Sequence, residues 1–316
     1  MKKILITGAK GLCGHALRKK YHNDWSTKRQ TPYEACFIGR EYGDLTILDN
    51  VKRMYDKIQP NYVVHTAATV GGIGGNEAHH GEFFYNNILM NTYMIDQASR
   101  HNVEKMIVFS SVCVFPDGQT LTEKNMHNGP VFSSNFSYGY AKRMVDIQVR
   151  AYQKQYGIKN YCSVIPGNLF GNHDNYNLDY GHVIPSLIHK LYLAKRYDKK
   201  FTAWGNGSSL REFIYVNDLA KIIFDLLDLP ELPLRLIVSG PKQYTIKSMV
   251  DKLVKIADFN PSEVVWDISK PNGQHSRPSD LSLFYSYFPD FEFTDIDDAL
   301  RISYDWFVKN YPNIRL

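Results

Sequence analysis

The chain is short of the features that mark several large protein classes. Its four cysteines, Cys13, Cys36, Cys113 and Cys162, show no CxxC pairing and no metal-ligand spacing, which argues against a disulfide scaffold or a zinc site and for free thiols in a reducing compartment. No apolar run approaches membrane-spanning length. The opening Met1-Lys-Lys-Ile-Leu-Ile-Thr-Gly enters a strand pattern directly, with no apolar leader core or small-residue cleavage site. A soluble, cytoplasmic protein is expected, with no membrane partner. Charge is equally unremarkable: 37 Lys and Arg against 32 Asp and Glu leave a formal +5, too mild and dispersed for a nucleic-acid protein. Repeats, low-complexity tracts and flexible linkers are missing too. A folded enzyme is the default expectation for what remains, and 316 residues exceed one typical domain, so two intimately packed lobes with a sizeable core are expected.

The first half alternates short β-rich runs with amphipathic stretches. Lys3 to Thr7, Ala35 to Gly39, Tyr62 to Ala67, Met106 to Ser111 and Tyr161 to Pro166 read as buried strands, and Glu82 to Arg100 and Tyr138 to Tyr156 as long helices. Right-handed crossovers then give an α/β fold: a Rossmann-type, doubly wound parallel sheet. After Pro166 the rhythm gives way to Asn, Asp, Gly, His and Tyr, the start of a smaller substrate-binding lobe. Phe213 to Leu227 and Leu236 to Gly240 return to strand and helix patterns that can rejoin the first lobe. The expected division is 1–166 with about 213–240 for the cofactor, and 167–212 with about 241–316 for the substrate, two interleaved α/β domains.

Gly8-Ala-Lys-Gly11-Leu-Cys-Gly14 lies between the first strand and a helix. Glycines there let backbone amides approach a pyrophosphate at the positive end of the helix, although glycines also serve tight turns. At the end of the second strand, Arg40 favours the 2′-phosphate of NADPH while Glu41 favours the free ribose hydroxyl of NADH, and the reading leans to NADPH because Arg40 comes first. Asp44 and Leu45 are placed for the adenine edge, or Asp44 is a solvated turn residue. Tyr138 and Lys142 are one helical turn apart, so an ammonium can favour the phenolate of a tyrosine that passes protons to a carbonyl. Ser111 follows the fourth strand, where ligands of open α/β sheets gather. The bland alternatives are that Tyr138 and Tyr140 pack a helix and that Ser110 or Ser111 caps one.

Longer strings sharpen this picture. Ala67-Ala-Thr-Val-Gly-Gly-Ile73, Cys113-Val-Phe-Pro116, His127-Asn-Gly-Pro130, Ser134-Asn-Phe-Ser-Tyr-Gly-Tyr-Ala-Lys-Arg143, Pro166-Gly-Asn-Leu-Phe-Gly-Asn-His-Asp-Asn175, Gly181-His-Val-Ile-Pro185 and Trp204-Gly-Asn-Gly207 cover almost the whole chain. In them it resembles the extended short-chain dehydrogenase/reductases, and within these the family of 3,5-epimerase-4-reductases that make GDP-L-fucose. The resemblance implies NADPH as cofactor, GDP-4-keto-6-deoxy-D-mannose as substrate, and a homodimer in which the two long helices pair across a two-fold axis as a four-helix bundle. It implies that Ser111, Tyr138 and Lys142 carry the reduction, and that Cys113 and His182 are the acid and base of epimerisation. Implied cofactor contacts are Gly8, Lys10, Gly11, Leu12, Cys13, Gly14, Arg40, Asp44, Leu45, Ala67, Ala68, Tyr138, Lys142, Pro166, Asn168, Leu169 and His182. Implied substrate contacts are Asn168, Val183, Lys190, Trp204, Arg211 and Lys270. The chain departs from the family at Gly167, where threonine is usual, at Val112, often a hydroxyl residue, and at Gln274-His-Ser-Arg-Pro278, which replaces a basic run. A reductase or epimerase of another nucleotide-linked sugar, such as a heptose, is the nearer alternative; a non-catalytic NADP(H) sensor is the distant one.

Overall fold

The computed structural model describes residues 1–23, 33–270 and 276–316. Strands β1 (Lys2–Thr7), β2 (Tyr33–Ile38), β3 (Tyr62–His65), β4 (Lys105–Phe109) and β5 (Tyr161–Pro166) fall within two residues of the expected runs. Between them stand α1 (Leu12–Tyr21), α2 (Leu48–Ile58), the short α3 (Ile73–Ala78), α4 (His80–Arg100) and α5 (Phe136–Tyr156). Beyond β5 come β6 (Asn168–Phe170), β7 (Phe201–Trp204), β8 (Leu210–Tyr215), β9 (Arg235–Val238), β10 (Gln243–Thr245) and β11 (Val264–Asp267). They are interspersed with α6 (Val183–Arg196), α7 (Val216–Asp228), α8 (Ile246–Ile256), α9 (Ser282–Tyr287) and α10 (Ile296–Asn310).

The main sheet runs β2-β1-β3-β4-β5-β9, every pair parallel. Parallel strands need helical crossovers, which cover both faces, and the side chains show it. Along β1, Ile4 and Ile6 enter one apolar core while Leu5 enters the other. Ile107 and Met106 divide between the same two cores on β4. Each such buried aliphatic contributes about 1.5–3 kcal/mol. One face carries α1 against α7, the other α2 against α4 and α4 against α5. Helix α5 stops at Gly157, whose φ of 70° closes the last turn. Chain order reverses between β1 and β3, the crevice where such sheets bind ligands.

The second half behaves less simply than its patterning implies. Strand β9 joins the main sheet beside β5. The run from Phe213 does not: β8 pairs with β6 and β10 in a separate three-stranded sheet, and only the following α7 packs on the first half. Strands β7 and β11 form a parallel pair of their own. One core cluster extends from Ile4 through Phe224 and Leu253 to Phe307, so both halves share an interior. Among the described residues no helix is long and apolar enough to cross a membrane, and all four cysteines are free thiols.

Candidate active site

The glycine turn is built for close approach. Gly8 has φ +74°, and a Cβ there would lie 2.9 Å from the Ala67 amide nitrogen; at Gly14 it would lie 2.2 Å from the Gly8 carbonyl oxygen. Helix and strand therefore meet backbone to backbone. Gly11 caps α1 with no side-chain cap, leaving the positive helix end for an anion. Leu12 anchors this helix in the core, and Lys10 reaches across to Glu41 at 3.0 Å. Glu41 also accepts from the Gly39 amide at 3.1 Å; its own backbone amide first and Lys10 next hold its carboxyl below the ordinary range, and Gly39 adds to this. The acidic neighbour is thus folded back and neutralised. Arg40 stays exposed, with no ion pair to a described residue, so its guanidinium is available to an anion such as a 2′-phosphate. The structure accordingly fits NADP better than NAD at this end. Asp44 takes the turn role: its Oδ1 accepts from the Thr46 amide at 2.9 Å and hydroxyl at 2.8 Å, while Leu45 packs on the core.

From this turn a cavity of about 340 Å³ runs under the ends of β3, β4 and β5 to the second lobe. Ser111, Cys113, Tyr138, Lys142 and His182 all line it. So do Cys13, Ala68, Pro166, Asn168, Leu169, Val183, Lys190, Trp204 and Arg211. Of the other expected residues, Gly8, Lys10, Gly11, Leu12, Gly14, Arg40, Asp44, Leu45 and Ala67 do not line it, and Lys270 stands outside the lining too, over the Trp204 ring.

Beyond β4 the chain turns through Ser111, extended at φ −164°, into one turn of 3-10 helix, and the Ser111 hydroxyl accepts from the Cys113 amide at 3.1 Å. Serine and thiol are thereby held together. Val112 points into a small core with Val114 and Phe115, which is why an apolar residue suits that position. Helix α5 brings up Tyr138 and Lys142 on one face, both buried. Lys142 Nζ donates to the Phe109 carbonyl at 2.9 Å, and burial lowers its ammonium to about 7. Burial raises the Tyr138 phenol; the nearby Cys113 adds to this and the Ser111 hydroxyl opposes it. The expected lowering of the phenol by lysine is absent, because the same burial loosens the lysine's own proton. At neutral pH Tyr138 is therefore the protonated acid.

The far wall is cationic. Two ammonium groups stand over Trp204, Lys190 at 4.0 Å and Lys270 at 5.1 Å from its ring centroid. Arg211 is brought down to about 10 by burial and then by the neighbouring Arg277 guanidinium. Asn168 spends its amide on the Glu212 carbonyl at 2.7 Å, fixing the strand that carries Arg211.

Arg277 lines the cavity unforeseen. It falls in the Gln274–Pro278 string that diverges from the family, of which Gln274 and His275 lie outside the described residues. Asn76 and Asn135 also line it, joined amide to carbonyl at 3.1 Å. Neither carried a sequence signal beyond its place beside the glycine-rich and Tyr138 strings.

The model of the NAD dependent epimerase/dehydratase family matches residues 4–234. The chain is 36% identical to a probable GDP-L-fucose synthase of Drosophila melanogaster, with 100% of both chains covered. It is 37% identical to the GDP-L-fucose synthase of Dictyostelium discoideum, over 99% of this chain and 98% of the other. Among solved structures, a GDP-L-fucose synthetase from Naegleria fowleri bound to NADP superposes with a TM-score of 0.90 at 33% identity, covering 100% of this chain and 95% of that one.

Proposed function

Because the chain belongs to the NAD dependent epimerase/dehydratase family and, within it, to the GDP-L-fucose synthases, we propose that it converts GDP-4-keto-6-deoxy-D-mannose to GDP-L-fucose by 3,5-epimerisation and NADPH-dependent 4-reduction. The observation that carries this reading is that one cavity holds Ser111, Cys113, Tyr138, Lys142 and His182 together. A reductase alone has no use for the thiol and the imidazole. The protons on C3 and C5 flank the C4 ketone, so removing either one leaves an enolate whose charge sits on the C4 oxygen. Ser111 and Tyr138 hold that oxygen. Of Cys113 and His182, one takes a proton from a face of the ring and the other returns one to the opposite face, inverting the carbon. NADPH, held by Gly8, Lys10, Gly11, Leu12, Cys13, Gly14, Arg40, Asp44, Leu45, Ala67, Ala68, Pro166 and Leu169, supplies the hydride for C4. Tyr138, kept protonated by burial, gives its proton to the oxygen, and Lys142 steadies the phenolate left behind.

Asn168, Val183, Lys190, Trp204, Arg211 and Lys270, with Arg277 added, take the GDP end: guanidinium and ammonium groups for the diphosphate, the indole for the base. We keep the cofactor lobe as residues 1–166 with about 216–240, since β8 as far as Tyr215 pairs with β6 and β10, and give the remainder to the substrate lobe. Exposed Phe84 and Tyr85 on α4, with Ile147 and Tyr156 on α5, support a homodimer through a four-helix bundle. The free thiols and the soluble substrate support a cytoplasmic location.

The reaction run in deuterated water tests the whole. Two deuterons in the product with NADPH consumed are expected; consumption without incorporation overturns the epimerase half, and no consumption overturns the reductase. Cys113→Ser should lower exchange at both carbons by ~10²-fold or more with NADPH affinity intact.

A further inference from the structure

Asp174 is a buried carboxylate with no part in that chemistry. It lies in the loop between β6 and α6 and is 2% exposed. Its Oδ1 accepts from the Asn175 amide at 2.7 Å, while Oδ2 is buried with no hydrogen-bond partner among the described residues. A carboxylate so placed is costly unless something positive or protic meets it. His182 is placed to do so. At the N-cap of α6 it brings Nδ1 to 3.9 Å from Oδ1, and this nitrogen is likewise buried and has no hydrogen-bond partner among the described residues. The rest of the ring opens onto the cavity, leaving the side chain 44% exposed. One nitrogen is thus inside against a carboxylate, and the other edge faces the substrate. Closing the gap to a hydrogen bond of ~2.8 Å takes a small side-chain rotation.

We propose that Asp174 is the positioning residue for His182. It accepts Nδ1–H, so that Nε2 is the nitrogen turned to the sugar, and it stabilises the imidazolium whenever His182 holds the proton in transit. The inference rests on the reading of His182 as an epimerisation group. The other groups facing the carboxylate are Cys13, at the start of α1, and Tyr176; burial raises both and the carboxylate adds to it, while Arg315 opposes it at Cys13.

Asp174→Asn tests this cleanly, because the amide oxygen can still accept from Asn175 while the charge is lost. Nitrogen-15 NMR of histidine-labelled protein should show His182 as the Nδ1–H tautomer in the parent and shifted toward Nε2–H in the variant. Deuterium exchange at C3 and C5 should fall 10–100-fold, with NADPH affinity unchanged. Asp174→Glu should recover part of both. An unchanged tautomer, or unchanged exchange, overturns the proposal; lost exchange with an unchanged tautomer means that Asp174 only shapes its loop. His182→Asn separates the two levels: if that variant keeps normal exchange, the reading of His182 itself has failed.

Discussion

His65 is buried between the Thr7 hydroxyl at 2.7 Å and the Asn91 side-chain oxygen at 3.1 Å, and burial drives its imidazole down to about 3. The unfolded chain takes up this proton below about 6.5, the folded one only near 3, so the contribution is complete above 6.5 and lost as pH falls. Between pH 6.5 and 5 it should cost about 2 kcal/mol. His65→Gln, followed by urea denaturation, should flatten that fall; parallel curves would show the acid sensitivity to lie elsewhere. Lys142 depends on pH in the same sense over a higher window. Its ammonium is lowered to about 7 from 10.5, so stability rises as pH climbs through that interval, and Lys142→Met should erase the rise. Tyr138→Phe removes the acid without the packing. NADPH consumption should drop ~10²–10⁴-fold while some exchange at C3 and C5 persists; normal turnover would remove Tyr138 from the role of donor.

At the scale of elements, two loops from different halves meet beside the reacting centre. The Gly72 amide donates to the Tyr180 carbonyl at 2.7 Å, and a Cβ on Gly72 would lie 2.5 Å from the Gly181 carbonyl oxygen. Gly72→Ala should push that loop, and His182 with it, out of place. Exchange at C3 and C5 should fall ~10-fold or more while NADPH affinity stays level, which titration and isotope counting would check. These junctions were hard to read in the sequence. The long helices α4 and α5 and the strands of the main sheet announce themselves by length and apolar runs. Strand β8 carries the same signal, with Phe213, Ile214 and Tyr215 all buried, but nothing local says which sheet it joins. Its neighbours β6 and β10 are three residues each, too short to leave a period. The site divides in the same way. Tyr138 and Lys142 were legible in their helical spacing and Ser111 in its place after a strand, whereas Cys113 and His182 stood out only through the family strings that carry them. Asp174 and Arg277 come near His182 and Arg211 only through the fold, and read locally as a turn residue and a loop cation.

On the scale of the whole molecule, the exposed apolar side chains of α4 and α5 make the proposed dimer testable. Tyr85→Glu with Ile147→Glu should shift sedimentation at micromolar concentration from dimer to monomer; a parent already monomeric would overturn the bundle. The shared core calls for a single cooperative thermal transition rather than two, with calorimetric and van't Hoff enthalpies in agreement. The return of β9 to the main sheet after β6, β7 and β8 have been laid down elsewhere reaches beyond stability. No single cut in the chain frees one half from the other. The second half cannot be exchanged as a cassette by recombination at one junction, because β9 would be cut away from the sheet that it completes.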